Sequence, residues 1–419
     1  MKILIATDTY PPHLNGGALA TYRMVNELDK RGHTMIVLAP STSLRNYKEK
    51  DGNITIYRLR SLFVQKEQNF RISPSIIHKG YVEKVVRTVR PDIIHVIDPG
   101  FIPVSAMIVG EKLRVPIVGT IHLMPENLIT HYFHLPETTV SLFSRILWMQ
   151  YARIYSKLDR IIAPTQAAAD LLTKVKKNIK NKIVYISNGI DLQKFKKNND
   201  GSYLKKRFHL PDVPTILFVG RLDKEKKIDV LLRALAHLKG KIVFHAVLVG
   251  EGKDGPKLHQ LVEALDISSH VTFTGVLSVE DLPNIYKTAN IFVMPGIAEL
   301  QSLVTMEAMA SGLPVVGADA VALPHLIKNG ENGYLFKPGN AHDLGNKLRM
   351  LLEDKKLREK MGVKSVEMIK VHDMRNVVPR IEEVYKSVIH ERMVSPKTRK
   401  QESGFVKDLT DVWLRFFRE

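Results

Sequence analysis

The sequence predicts an α/β protein made of two doubly wound domains, each with a parallel sheet. Three observations carry that prediction. Short apolar runs of strand length alternate with helical stretches along most of the chain. The length of 419 residues suffices for two domains of ordinary size. The third is the stretch 291–317, IFVMPGIAELQSLVTMEAMASGLPVVG, which holds a complete strand–loop–helix–strand unit. Ile291–Met294 is a buried strand and Pro295-Gly296 a turn. Leu303–Ser311 is a helix rich in Met, Ala and Glu, stopped by Gly312 and Pro314, and Pro314 opens the next strand, which runs to Val316.

Taken in order, Lys2–Thr7 is the first buried strand, and the loop after it starts at Asp8 and ends in Gly16-Gly17, with a helix from about Ala18. Paired glycines let backbone approach a ligand, and a helix N-terminus favours phosphate. The spacing is not G-x-G-x-x-G, so a dinucleotide is not indicated. Thr34–Ala39, Ile54–Leu59, Asp92–Ile97 and Val115–Thr120 are further strands, with a helix over about Ile76–Val89. His122 follows the last of these, at the carboxyl end of a strand, where open sheets bind ligands; the alternative is a packed structural histidine. The loop Arg60–Pro74 mixes Leu62, Phe63, Val64 and Phe70 with Arg60, Lys66 and Arg71, which suits a surface that takes both headgroups and acyl chains. A long helix from about Thr138 to Lys157 carries Phe143, Ile146, Leu147, Met149 and Tyr151 beside Arg145, Arg153 and Lys157. It fits either a core helix of the sheet or a membrane-facing element. Lys174, Lys176, Lys177, Lys180 and Lys182 crowd nine residues, as a solvated face or an anionic-lipid contact.

Val184–Ser187 is a strand that runs into Asn188-Gly189-Ile190-Asp191, a turn motif with a structural reading. The charged, proline-marked stretch from Lys194 to Pro214 holds the linker, so the first domain covers 1–195 and the second 196–375. In the second domain, Thr215–Val219 leads to Gly220-Arg221 and on to Lys226. An Arg fork and a mobile Lys five residues apart after a strand form a good diphosphate clamp. Ile242–Val249 ends at Gly250, and Val271–Thr274 ends at Gly275-Val276. In the central unit, the N–H groups of Ser302, Leu303 and Val304 point out of a helix start, where they favour an anion. Glu299 in the loop and Glu307 on the helix are acceptor-only and suit vicinal hydroxyls.

Composition narrows the classes of function. Zero cysteines exclude a disulfide framework and thiolate metal sites, and fit a reducing compartment. No run approaches the roughly 20 apolar residues that span a bilayer, and the N-terminus shows no signal-peptide pattern. The expected location is cytoplasmic, peripheral on the inner face of the cell membrane. Residues 1–197 hold 29 Lys and Arg against 15 Asp and Glu, a surplus of 14, whereas the remainder holds 33 against 28. Such a basic half implies an acidic partner. No nucleic-acid-binding module is present, so an anionic membrane is expected and nucleic acid is not.

The combination of Glu299-x7-Glu307 with AMASGLPVV resembles the donor site of retaining glycosyltransferases of family 4, which have the GT-B architecture of two Rossmann-like domains facing a cleft. The resemblance covers most of residues 1–390. It implies that Glu299 contacts the sugar hydroxyls, Glu307 the nucleotide ribose, and Arg221 and Lys226 the pyrophosphate. It further implies that Gly16 and Gly17 face the donor phosphates, His122 borders the sugar, and the backbone near Val276 faces the base, with Gly220, Gly250, Gln301, Ser302, Leu303 and Val304 around the donor. Where many members carry Gly-Phe-Gly, this chain has Leu300-Gln301-Ser302, similar to glycolipid-forming members such as diacylglycerol glucosyltransferases. Lys227 stands where the family often has Gly, and is expected to be tolerated.

The function this implies is transfer of a hexose, expected to be glucose from UDP-glucose, to a membrane lipid such as diacylglycerol or phosphatidylinositol. The nucleotide sugar is a substrate, and neither a cofactor nor a metal is expected. The alternatives are a soluble or polyprenol-linked sugar acceptor, and a nucleotide-sugar epimerase. Residues 376–419 are expected to return to the first domain as helices and to end in an amphipathic tail, 404–418, with Phe405, Leu409, Val412, Trp413, Phe416 and Phe417 on one face.

Overall fold

A computed structural model describes residues 1–12, 15–65, 70–73, 75–125, 137–195 and 199–395. The chain divides into two compact units. One comprises Met1–Pro125, Ser141–Gly189 and the chain from Met374 onward, and the other is built on Ile190–Asp373. The division falls at Gly189–Ile190, just ahead of the charged stretch in which the sequence placed the linker. The Ile190 N–H donates to the His372 carbonyl at 2.8 Å, so the two ends of the second unit's chain lie side by side.

The apolar runs of the first unit become an eight-stranded sheet. Its strands are β1 (Lys2–Thr7), β2 (Thr34–Pro40), β3 (Tyr47–Asp51), β4 (Ile54–Leu59), β7 (Ile93–Ile97), β8 (Ile117–Thr120), β9 (Arg160–Ala163) and β10 (Ile183–Tyr185), in the order β10-β9-β8-β7-β1-β2-β4-β3. All pairs are parallel except β3 with β4. β3 has the sequence YKEKD, whose charges protect an exposed sheet edge from further pairing. β5 (Leu62–Gln65) and β6 (Phe70–Ile72) form a small separate hairpin. The helices are α1 (Gly16–Lys30), α2 (Ser75–Val89), α3 (Phe101–Lys112), α4 (Glu137–Tyr155) and α5 (Gln166–Val175). α1 starts at Gly16, because Asn15 caps it by accepting the Ala18 N–H at 2.8 Å. α3 is apolar on nearly every side, with Ile102 through Glu111 buried, so it has no amphipathic period to reveal it in the sequence.

The second unit repeats the plan with six parallel strands: β11 (Thr215–Val219), β12 (His245–Val249), β13 (Val271–Gly275), β14 (Ile291–Met294), β15 (Val315–Ala318) and β16 (Gly333–Phe336), in the order β13-β12-β11-β14-β15-β16. Its helices are α6 (Ser202–Arg207), α7 (Ile228–Leu238), α8 (Gly255–Ala264), α9 (Leu282–Ile285), α10 (Leu303–Ala310), α11 (Leu323–Leu326), α12 (Ala341–Glu353) and α13 (Lys355–Ile369).

The last described helix, α14 (Met374–Val394), belongs to the first unit. Val377, Val378, Ile381, Tyr385 and Val388 enter the same core as Ile3, Ile5, Val37, Ile93 and Val118. Polar contacts fix it at several points. Arg31 holds Glu382 with two bonds, 2.7 and 2.8 Å, and His33 adds a third at 2.8 Å, which together pull that carboxyl down to about 2. The Tyr385 hydroxyl lies 2.6 Å from His95 Nδ1, and Arg392 donates to Asp159 and Glu111 at 2.9 to 3.1 Å. The amphipathic tail expected over 404–418 lies outside the described residues.

Candidate functional site

In the second unit, the strand order reverses between β11 and β14, and the chain leaves these neighbours toward opposite edges. Ligands of open α/β sheets bind outside the carboxyl ends at such a point. Two segments meet there: Gly220 to Lys226 after β11, and Pro295 to Ser302 after β14. The Ile297 N–H donates to the Glu225 carbonyl at 3.3 Å, which joins the two loops. Lys226 Nζ donates to Glu299 Oε1 at 2.5 Å, and the two side chains are only 15% and 10% exposed. Arg221 spreads its fork between Asp223 and Glu225, at 2.6 Å from each. The other oxygen of Asp223 accepts the Lys253 N–H at 3.0 Å, so the carboxylate that orients Arg221 is itself fixed. Each cation is therefore preset by acids.

The glycines at this edge are required by close packing. A Cβ on Gly250, whose φ is +125°, would lie 2.0 Å from the Gly220 carbonyl oxygen. Gly220 has φ +153° and donates to Val249 O at 3.0 Å. Val276 follows β13 and is 67% exposed, available to a flat apolar group.

Ser302 is the N-cap residue of α10, but its hydroxyl accepts from Thr305 at 2.9 Å and does not cap the helix. The N–H groups of Leu303 and Val304 thus form a positive helix end with no side-chain cap. Gln301, Ser302 and Leu303 are buried around it. Glu307, on the second turn, is buried and accepts the Tyr286 O–H at 2.8 Å.

The first unit has its own reversal, between β7 and β1. Sequence reasoning assigned no role to the two acids there, Asp8 and Asp98. Their position was a signal, since each directly follows an apolar strand. Asp8 accepts the Ile102 N–H at 3.0 Å and stabilises the start of α3 from across the sheet. Asp98 has φ +55° and accepts the N–H groups of His122 and Leu123 at 2.7 and 3.0 Å. Desolvation pushes the two carboxyls up to about 6 and about 7, against these backbone bonds, with mutual repulsion adding to the second. Burial pushes His122 down to about 4, against a hydrogen bond with Asn188. A Cβ on Gly17 would lie 3.7 Å from His122 Cβ and 3.8 Å from its Nδ1, so Gly17 and the histidine come together, while Gly16 faces open space.

The long helix α4 has two faces. Leu147, Trp148, Tyr151, Ala152 and Tyr155 are core, whereas Phe143, Arg145, Met149 and Arg153 are exposed. The two sequence readings of this helix therefore describe its opposite sides. Lys182 donates to Ser156 O and Leu158 O at 2.8 Å, and Lys176 to Ser156 Oγ at 3.0 Å. Those two lysines hold the chain after α4, which leaves Lys174, Lys177 and Lys180 on the surface. Arg71 is likewise buried on Ser61, with its Nε 2.6 Å from Ser61 Oγ, and does not belong to a headgroup-facing mixture. Among the described residues, no helix is long and apolar enough to cross a membrane.

Two family models match consecutive parts of the chain, "Glycosyltransferase Family 4" over residues 14–194 and "Glycosyl transferases group 1" over residues 202–368. The chain belongs to the glycosyltransferases of family 4. This glycosyltransferase is 31% identical over 317 residues to the sulfoquinovosyl transferase SQD2 of Arabidopsis thaliana, a match that covers 74% of the chain and 58% of the plant protein. It thus spans less than two thirds of that relative. It is 27% identical to the alpha-monoglucosyldiacylglycerol synthase of Streptococcus pneumoniae, over 82% of the chain and 76% of that protein. A GDP-mannose-dependent alpha-mannosyltransferase of Corynebacterium glutamicum is 26% identical, over 80% and 76%. In fold, the enzyme is similar to the sucrose-phosphate synthase of Thermosynechococcus elongatus, with a TM-score of 0.76 at 19% identity over 93% of the chain and 100% of that structure. The two parallel-sheet domains are those of the GT-B glycosyltransferases, as the sequence predicted.

Proposed function

We propose that this glycosyltransferase moves a hexose from a nucleoside diphosphate sugar to the hydroxyl of a membrane lipid, diacylglycerol or phosphatidylinositol, with retention of anomeric configuration. The observation that carries the reading is the set of preset groups at the β11/β14 reversal: Arg221, and Lys226 paired with Glu299. Two cations there match a diphosphate, and a carboxylate beside them matches sugar hydroxyls. Glu307 would serve the ribose and Val276 the base. On the first unit, His122 would meet a sugar hydroxyl. In the reaction, the bond from the anomeric carbon to the phosphate oxygen breaks and the bond to the acceptor oxygen forms on the same face. The acceptor proton passes to the departing diphosphate. Arg221 and Lys226 stabilise the charge that develops on that group, and this is the main catalytic term. The reading assigns charge neutralisation to these side chains, with no metal.

A lipid acceptor is supported by the basic surplus of residues 1–197 and by the exposed side of α4, where Phe143 and Met149 lie among Arg145 and Arg153. It is further supported by the name of one relative, an alpha-monoglucosyldiacylglycerol synthase. Glucose is the proposed sugar, and the mannosyltransferase relative makes GDP-mannose the second donor to try.

The test is mass spectrometry after incubation with UDP-glucose or GDP-mannose, in EDTA, with anionic vesicles that contain or lack diacylglycerol and phosphatidylinositol. The expected product is a hexosyl lipid that is absent for Glu299→Ala. Transfer only to a soluble or polyprenol-linked sugar overturns the lipid acceptor. Conversion of the donor sugar without any acceptor identifies an epimerase.

A further inference from the structure

Glu307, the buried acid of α10, is held by a phenol. The Tyr286 O–H donates to Glu307 Oε2 at 2.8 Å, and the two residues are 0% and 1% exposed. Tyr286 opens the single helical turn Tyr286–Thr288, between α9 and β14. Two aromatic rings seat it. Phe292 of β14 lies 6.0 Å away, tilted by 44°, and Phe195 lies 5.9 Å away at 77°, an edge-to-face contact. The next residue, Lys287, donates to the Ser311 carbonyl at 2.5 Å, which ties this turn to the C-terminal end of α10. Phe195 comes from the first residues of the second unit's chain. Asp191 Oδ1 accepts the Gln193 and Lys194 N–H groups there, at 2.9 and 3.3 Å, and so fixes the turn that leads to Phe195. All of these residues belong to the second unit.

We propose that Tyr286 is a positioning residue, which holds one oxygen of Glu307 so that the carboxylate presents its lone pairs to the vicinal hydroxyls of a ribose, with Phe195 keeping the phenol in place. An ionised carboxylate offers about four lone-pair sites, and a phenol takes one of them. Accepting two neighbouring hydroxyls requires that the plane of the carboxylate be fixed. A Glu side chain has three torsions to order, whereas the Tyr286 ring has two and is already set by its aromatic neighbours. The phenol therefore confers on Glu307 an orientation that the helix alone does not impose. The stretch from Asn188 to Asp191 has a structural reading in the sequence. Through Phe195, the chain that follows it also supports the ligand site.

The inference rests on the nucleotide-sugar reading above, and one assay separates the two. The full chain is titrated calorimetrically with UDP and with 2′,3′-dideoxy-UDP, and likewise with GDP and its dideoxy form. Wild type is expected to bind its ribonucleotide about 100-fold more tightly than the dideoxy form. Tyr286→Phe keeps the ring and removes only the hydroxyl, and is expected to lower that ratio to about tenfold. Phe195→Leu leaves the phenol and carboxylate intact, and is expected to lower the ratio about threefold. A tyrosine that served only the core would change both affinities alike and leave the ratio as it was. Thermal unfolding checks that each variant keeps its fold, and Phe195→Leu decides the matter if Tyr286→Phe does not fold. Failure of wild type to bind either ribonucleotide overturns the nucleotide-sugar reading and this inference with it. Equal binding of ribo and dideoxy forms overturns the ribose role of Glu307, and hence the inference. A selective wild type whose ratio is unchanged in Tyr286→Phe overturns the inference alone, and an unchanged ratio in Phe195→Leu removes Phe195 from the assignment.

Discussion

Replacing Lys226 by Met tests the central pair, because its effects on stability and on turnover part company. With side chains 15% and 10% exposed, Lys226 and Glu299 are closer to a buried ion pair than to a surface one. Removing one partner of a buried pair costs roughly 3–5 kcal/mol, because the other charge is left uncompensated. The residual exposure places Lys226→Met near the lower end, about 3 kcal/mol. For a unit of this size that lowers the melting temperature by roughly 6–12 °C. Adding Glu299→Gln removes the stranded charge, so the double variant recovers about 2 kcal/mol of that loss. Turnover behaves differently. On the proposed reading Lys226→Met removes one stabiliser of the leaving diphosphate and is expected to lower kcat about 100- to 1,000-fold, with the double variant at that level or below. The assays are denaturant and thermal unfolding of the second unit's transition, together with hexosyl transfer under saturating donor. A change in stability below about 0.5 kcal/mol in the single variant, a size typical of neutral surface substitutions, would show that the two groups are not paired in solution. Recovery of turnover in the double variant would show that Lys226 acts only by neutralising Glu299.

Further predictions concern the frame around the site. Asp98 is raised from 3.8 to about 7, so the folded state binds more protons than the unfolded chain between those values, and stability from this group falls as pH rises toward 7. Asp98→Asn keeps an acceptor for the His122 and Leu123 N–H groups, and is expected to flatten that part of the curve of unfolding free energy between pH 4 and 8. Lys227 has φ +50°, which costs about 1–2 kcal/mol in a residue with a Cβ, so Lys227→Gly is expected to stabilise the second unit by up to about 1 kcal/mol after the entropy of glycine is subtracted. This is measurable as a shift in urea midpoint. Arg145→Gln with Arg153→Gln is expected to weaken co-sedimentation with anionic vesicles by roughly 30-fold at low salt, at about 1 kcal/mol per charge, and to leave zwitterionic vesicles unaffected.

The strands of the two sheets were largely legible because parallel strands buried on both faces are continuous apolar runs, as in Lys2–Thr7, Thr215–Val219 and Ile291–Met294. Elements without a contrast between faces were not: α3 is apolar all round, and β9 is only the four residues Arg160–Ala163. β3 reads as a charged loop because its charges guard an edge. Lysine counts cannot separate a side chain that closes a helix end, as Lys182 does, from one that faces solvent, as Lys180 does.

The site divides along the same line. Arg221 and Lys226 were legible because the chain itself brings them to one strand end, five residues apart. The partners that aim them were not, since Glu299 reaches Lys226 only through the adjacency of β11 and β14, and that adjacency is a property of strand order. Asp98 and His122 are likewise joined by the pairing of β7 with β8. In both units the sequence announces the group that would meet a ligand. The groups that fix its charge and direction come from other strand ends. Substitutions at Asp223, Glu225 and Asp98 therefore test the enzyme as directly as those at the motifs.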